Sequence, residues 1–383
     1  MGKDIYDVVI LGGGASGSML ATLVRSNCAI IDNNQKLGKK LLVTGNGRCN
    51  LTNLNMSSSY FNQNIDKYLC RFDSQDTIDF FRTLGVETYA DSEGRVYPLT
   101  NMAKSVVDVL DYQVEKNRID RFLGENVQKI AQNVDFFDIL TDKRHIKAKK
   151  VVVAMGGDGA KNIAQKFGLQ YKDCVPSLVS LKTKKINHLK NIRVHDALLT
   201  LKYGDKICSQ RGEILFREDG ISGICVFNIS SHLARNGEYK GTLSIDLLPS
   251  FDIEKLKANL KYRKSIFDKM ENFFDGLLAK NVGFEIMQRC NLNKEESVHY
   301  LKQIDIDKIA GTIKNLSFEV KDHLENNQVY SGGVLLSSLD DNLQSKKVKG
   351  LYFVGEACDV DGECGGYNLQ WAWTSAKIVG DAI

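Results

Sequence analysis

Two glycine-rich clusters at opposite ends of a 383-residue chain have the residue types to grip a phosphate-bearing, electron-rich ligand. Near the N-terminus, Gly12-Gly13-Gly14-Ala15-Ser16-Gly17 follows the apolar run 5–11 and leads into an Ala- and Leu-bearing stretch to about residue 25. A second apolar run, 28–31, ends at Asp32. Strand, Gly-x-Gly-x-x-Gly, helix, strand and acid is the dinucleotide-binding arrangement, and each part has a mechanical reason. Gly12 makes the tight turn, Gly14 lets backbone approach a pyrophosphate, and Gly17 allows close helix–sheet packing. Asp32 can accept from ribose hydroxyls. At the other end, residues 350–383 read as a strand (351–354), an acidic turn with Gly355, Glu356 and Asp359, and the step Gly365-Gly366-Tyr367-Asn368-Leu369 into a helix. A helix that opens on glycines offers bare N–H groups and the positive end of its dipole.

A third cluster, GKKLLVTGNGRCNLTN at 38–53, is rich in glycines and side-chain donors. Glycines let the chain run against a flat ligand, and Lys39, Lys40 and Arg48 can compensate phosphate charge or a ring edge. The other reading is an ordinary glycine turn with solvated lysines. Residues 151–157, Val-Val-Val-Ala-Met-Gly-Gly, form one more strand–turn unit.

The 38–53 segment resembles the signature of the BaiN/RdsA-type NAD(P)/FAD-dependent oxidoreductases, also described as aminoacetone-oxidase-like FAD-binding proteins. So does GLYFVGEACDVDGECGGYNLQWAW at 350–373. Matching pieces at 151–157, 176–179, 212–216, 220–223 and 331–334 extend the similarity over nearly the whole chain in order. Four positions depart from the family pattern: Asn46, Met155, Asp32 and Cys364. None removes a cofactor group.

The resemblance implies an α/β fold: a Rossmann-like FAD-binding domain of the two-dinucleotide-binding flavoprotein kind, with an inserted β-barrel-like plus helical region. It implies FAD contacts at Gly12, Gly14, Ala15, Ser16, Gly17, Asp32, Lys39, Lys40, Thr44, Gly45, Arg48, Asn50, Val127, Ala154, Met155, Gly156, Gly355, Glu356, Asp359 and 365–369. A second glycine fingerprint is absent, so NAD(P)H is expected as a transient electron donor. Reduced flavin delivers hydride to a polarised C=C when an acid protonates the neighbouring carbon. Cys49, Arg48 and Tyr367 are the catalytic candidates. A thiol of pKa about 8.5 is mostly protonated at neutral pH, which suits Cys49 as the acid; packing against the flavin ring is the equal alternative. For a bacterial member, the resemblance points to reduction of one uridine of 23S ribosomal RNA to dihydrouridine. The alternatives are a flavin oxidoreductase acting on a small enone or amine, and a non-catalytic, flavin-holding RNA-binding or assembly protein.

The elements that position these residues leave room for more than one domain. The fingerprints occupy 1–180 and 331–383. Between them, 181–250 has short β-like pieces separated by glycine turns, and 251–330 reads as helices. The loop 157–160 is short. From 179 to 270 there are seventeen Lys and Arg against ten Asp and Glu, although the whole chain carries only +4. That excess is either a solvated face or a phosphate-contacting surface for ribosomal RNA. Nine cysteines without a C-x-x-C pair argue against a structural metal or a dithiol centre. With no long apolar span or leader-like segment, the expectation is a cytoplasmic protein without membrane or metal partners.

Overall fold

A computed structural model of the chain describes residues 5–324 and 329–383. It comprises two compact units, Met1–Pro176 with Asn327–Ile383, and Ser177–Asn326.

In the first unit, five parallel strands run side by side in the order Asp120–Leu123, Cys28–Asp32, Tyr6–Leu11, His145–Val153 and Leu351–Phe353. Val8, Val9, Ile10 and Leu11 are all buried, which accounts for apolar residues on both faces of that strand. His145–Val153 has two partners on one side. Its first half pairs antiparallel with Phe137–Thr141, and Val151, Val152 and Val153 pair in parallel with Leu351, Tyr352 and Phe353. The C-terminal strand therefore enters the sheet beside the strand that follows the first dinucleotide-binding half. The glycine loop, Asp32, Ala154 and Gly355 all sit at carboxyl ends of these strands, where ligands gather in such sheets. Residues 157–160 are the first turns of the helix Gly156–Lys166, not a loop. Gly157 and Ala160 lie on its buried side, so the glycines there serve close packing.

Two helices flank the glycine loop. Ala15–Leu23 packs against the C-terminal helix Tyr367–Ala382. Gly380 permits that approach: a Cβ there would lie 3.2 Å from the Cβ of Leu23.

The second unit contains a seven-stranded antiparallel sheet, which begins at Leu316–Val320 and ends at Asp322–His323. These two end strands are separated in sequence by Lys321 alone. The two edges of the sheet are thus tied together by one residue, and the sheet must curl into a barrel. The sequence reading divides this unit at about residue 250. In the structure its strands and helices share one apolar cluster, in which Leu199, Leu201, Ile214 and Leu243 join Leu256, Leu260, Ile286 and Ile309. Among the described residues, no helix is long and apolar enough to cross a membrane, and no group of His, Cys, Asp or Glu has a metal-holding arrangement.

Candidate functional site

The N-terminal glycines differ in what surrounds them. A Cβ on Gly12 would lie 2.4 Å from the carbonyl oxygen of Ala154, and one on Gly17 would lie 1.9 Å from that of Gly12. Gly12 also needs its φ of +102°. These two are excluded from substitution by protein packing alone. Gly14 has no atom within 4 Å of its would-be Cβ, so the room beside it is left for something other than protein. The helix it caps has no side-chain cap and no acid in its first turn. Asp32 closes the loop from the next strand: Gly13 N–H donates to its Oδ2 at 2.6 Å and Asn34 N–H to its Oδ1 at 2.7 Å. Val127 begins a strand two residues after Glu125, whose N–H donates to the Asp32 carbonyl at 3.0 Å.

The C-terminal motif meets this loop directly. Gly355 has φ +60°, and a Cβ there would lie 2.6 Å from Ser16 Oγ. Lys40 Nζ donates to Glu356 Oε2 at 2.6 Å, linking the second and third clusters across 316 positions of sequence. Glu356 Oε2 is also the nearest atom, at 3.7 Å, to a Cβ built on Gly156. Met155 caps the helix that Gly156 opens. Lys39 is exposed. Asp359 is buried, its Oδ1 accepting from Asn62 Nδ2 at 3.3 Å.

Three side chains of the C-terminal helix hold it to the rest of the site. Trp371 Nε1 donates to the Gly355 carbonyl at 3.0 Å, and Trp373 Nε1 to the Leu51 carbonyl at 2.9 Å. Just before them in sequence, fully buried Gln370 accepts from Thr52 Oγ1 at 2.6 Å and Thr77 Oγ1 at 2.9 Å. Its Nε2 donates to the carbonyls of Phe72 and Asp73 at 3.1 and 2.9 Å. Every polar atom of that amide is satisfied, as burial demands. The helix opening is consequently pressed onto residues 50–53. A Cβ on Gly366 would lie 2.4 Å from the Thr52 carbonyl oxygen and 2.9 Å from Asn50 Oδ1, and Asn53 Nδ2 donates to the Gly365 carbonyl at 2.9 Å. No side chain caps this helix, and its first turn holds no acid.

Asn50 is buried, and its Oδ1 has no hydrogen-bond partner. An orphaned buried acceptor costs about 1–3 kcal/mol. Together with the empty room at Gly14 and two uncapped helix openings, it is a set of unmet polar groups that a dinucleotide with a polar ring system satisfies. The residues present fit FAD.

The three catalytic candidates have different surroundings. Gly45, Asn46, Gly47 and Cys49 all have positive φ, and Thr44 Oγ1 ties the loop by donating to the Leu41 carbonyl at 2.7 Å. Cys49 is completely buried, and burial pushes its thiol up to about 12. Arg48 is half-buried. Its guanidinium lies 4.5 Å from the Tyr97 ring centroid, with Nη2 3.4 Å from Tyr97 Oη. Tyr367 is stacked on Tyr60 at 4.4 Å and meets Phe61 edge-on at 6.0 Å; burial holds its hydroxyl well above the usual phenol range. The Asn368 side chain is occupied locally, bonding Gly362 N–H at 2.9 Å and the Gly362 carbonyl at 2.8 Å. Leu369 packs on the core. Of the expected residues, Arg48, Asn50 and 365–366 gather at one end, and the 12–17 loop, Asp32, Lys40, Ala154, Gly156 and 355–356 at the other.

Sequence reasoning did not single out Tyr97, Tyr60, Gln370, Trp371 or Trp373. The two tryptophans lie in the resembling motif, but nothing in their spacing shows that they anchor loops. Tyr97 reaches Arg48 because Arg95–Pro98 pairs with Thr52–Asn53, a two-residue ladder with no sequence signal.

The HI0933-like protein Rossmann domain family matches residues 6–382. The chain is 31% identical to a 3-dehydro-bile acid delta(4,6)-reductase of Clostridium scindens, covering 97% of this chain and 98% of the relative. It is 30% identical to a ribosomal RNA dihydrouridine synthase of Escherichia coli, covering 97% and 96%. A solved 3-ketosteroid delta1-dehydrogenase from Sterolibacterium denitrificans shares the fold, with a TM-score of 0.50 at 10% identity over 100% of both chains. The chain belongs to the HI0933-like Rossmann-domain family and is an FAD-dependent oxidoreductase.

Proposed function

We propose that the chain is an NAD(P)H-driven reductase of an activated C=C bond, and that its substrate is a uridine of 23S ribosomal RNA, reduced at C5=C6 to dihydrouridine. One observation carries the choice of an RNA substrate. The unit Ser177–Asn326 has 24 basic against 20 acidic side chains, so the chain's whole net charge of +4 resides in the insert. The cofactor-bearing unit is neutral. A polyanionic substrate gains from that segregation, and an uncharged small molecule does not. The relative named as a ribosomal RNA dihydrouridine synthase, similar over 97% of this chain, supports the same reading.

Bound FAD supplies the hydride. The assigned contacts are the 12–17 loop and the helix opening at Gly14 for the pyrophosphate, and Asp32 for a ribose. Lys39 and Lys40 are assigned to compensate phosphate charge, Lys40 with an ammonium it also shares with Glu356. Asn50 and the helix opening at Gly366 are assigned to the polar edge of the ring system. Uncapped N–H groups there stabilise negative charge without reorganising. Arg48, held by Tyr97, is the catalytic candidate with a partly open side chain, and its assigned role is to orient and polarise a substrate carbonyl. The burial of Cys49 favours packing over proton donation. NAD(P)H visits transiently.

A small-enone substrate is the second reading, favoured by the 31% identity to the bile acid reductase. The two part in one assay. Purified FAD-loaded protein is given NADPH or NADH with either unmodified 23S rRNA or a 3-keto-4-ene steroid. The proposal expects dihydrouridine in the RNA; turnover of the steroid with none of the RNA overturns it.

A further inference from the structure

We infer that the insert carries a surface for single-stranded RNA, centred on the rings of Tyr262 and Tyr300. This rests on the RNA reading above and adds where the strand is held. Tyr262, on the last turn of the helix Ile253–Arg263, is 66% exposed, and Tyr300, which closes the turn Val298–Tyr300, is 80% exposed. The helix buries Leu256, Leu260 and Arg263, a spacing that leaves position 262 on the outer side.

The two tyrosine-bearing segments are fastened to each other. Lys264 Nζ donates to the Leu301 carbonyl at 2.5 Å, Val298 N–H to the Asp268 carbonyl at 3.0 Å, and Met270 N–H to the Glu296 carbonyl at 3.0 Å. Buried Arg263 locks the helix end by donating to the Phe273 carbonyl at 2.6 Å. The segments that carry both rings are thus fixed to each other, and Ile266 and Ile304, each four positions further along the chain, are exposed as well.

Residues 253–270 carry six basic and two acidic side chains, of which Arg263 is buried, Lys264 is bonded to the Leu301 carbonyl and Lys257 is paired with Glu254 and Asp307. Lys255, Lys261, Lys269 and, across the seam, Lys302 are exposed. Exposed aromatics set among lysines are the means by which proteins hold single strands: bases stack on the rings and phosphates meet the ammonium groups. The other basic run, 182–193, is less suited, because it holds no Tyr, Phe or Trp on which a base could stack. A second copy of the chain would set this basic helix against its own charge; a polyanion complements it.

The test is fluorescence anisotropy of the full FAD-loaded protein with a labelled oligouridylate, read without turnover. Tyr262→Ser with Tyr300→Ser is expected to weaken binding about tenfold or more, as loss of base stacking does. Tyr262→Phe with Tyr300→Phe keeps the affinity within about twofold, since stacking survives. Lys261→Gln and Lys302→Gln are each expected to lower the salt slope by about 0.7. Wild-type affinity in the serine pair overturns the surface. So does a changed sedimentation coefficient in that pair with unchanged RNA binding, which marks a contact between copies. Failure of the substrate reading shows separately, as an unchanged dihydrouridine content of 23S rRNA.

Discussion

Trp373 donates its indole N–H to the carbonyl of Leu51 at 2.9 Å, joining the last helix to the segment that carries Arg48, Cys49 and Asn50 across 322 positions of sequence. The bond is buried. With the Gln370 bonds it holds the opening of that helix, at Gly366, against Asn50 and Thr52.

Replacing Trp373 with Phe preserves most of the apolar bulk and leaves the Leu51 carbonyl unpaired. The expected cost is about 1–3 kcal/mol, seen as a lower midpoint in chemical denaturation, with faster FAD release. A variant as stable as the wild type that retains FAD equally well removes the clamp role from this residue.

Gln370→Leu removes the acceptor of the Thr52 and Thr77 hydroxyls and one of two donors to each of the Phe72 and Asp73 carbonyls, which keep Thr374 Oγ1 and Thr77 N–H. Because one amide satisfies a whole buried network, the loss is expected to exceed that of Trp373→Phe, at about 2–4 kcal/mol. Equilibrium unfolding of the two variants side by side checks the order.

The glycines provide a contrast between packing and ligand. Gly17→Ala puts a Cβ 1.9 Å from the Gly12 carbonyl oxygen, and the expected result is misfolded or aggregated protein. Gly14→Ala meets nothing within 4 Å. It should melt like the wild-type apoprotein and yet bind FAD at least tenfold more weakly, about 1.4 kcal/mol. Normal FAD affinity in that variant would place the pyrophosphate elsewhere.

Burial raises the folded Cys49 thiol from 9.0 to about 12. At pH 8 the thiolate fraction is about one in ten thousand, so alkylation of native protein should spare Cys49 and take exposed Cys70. The sign for stability follows from the raised folded value. The contribution is intact below pH 9.0 and is lost progressively as pH rises towards about 12. Cys49→Ser should therefore flatten the alkaline fall in melting temperature relative to wild type. Rapid labelling of Cys49 at pH 8 would show that the thiol is reachable and restore it as a proton-donor candidate.

Much of the fold was legible in the sequence because its signals are local. Gly12, Gly14, Gly17 and Asp32 lie in one strand–turn–helix–strand unit, and their spacing can be read within about twenty residues. The two tied motifs at 38–53 and 350–373 were recognisable for the same reason. What was hidden is long-range. The partners of Gln370 and Trp373 lie about three hundred positions away, and Tyr97 reaches Arg48 through a two-residue strand pairing too short to leave a pattern. The insert has the helix Ile224–Asn236 before residue 250 and the strand Leu316–Val320 after it, so strand and helix occur on both sides of that division. Local pattern does not show that Leu201 and Leu256 share one apolar cluster.

The central claim, that this flavoenzyme reduces a ribosomal uridine, is tested most directly by mass-spectrometric nucleoside mapping of 23S rRNA from a strain lacking the gene. The predicted result is loss of dihydrouridine at one position, restored by the wild-type gene and not by Gly14→Ala. Unchanged dihydrouridine in the deletion strain would contradict it.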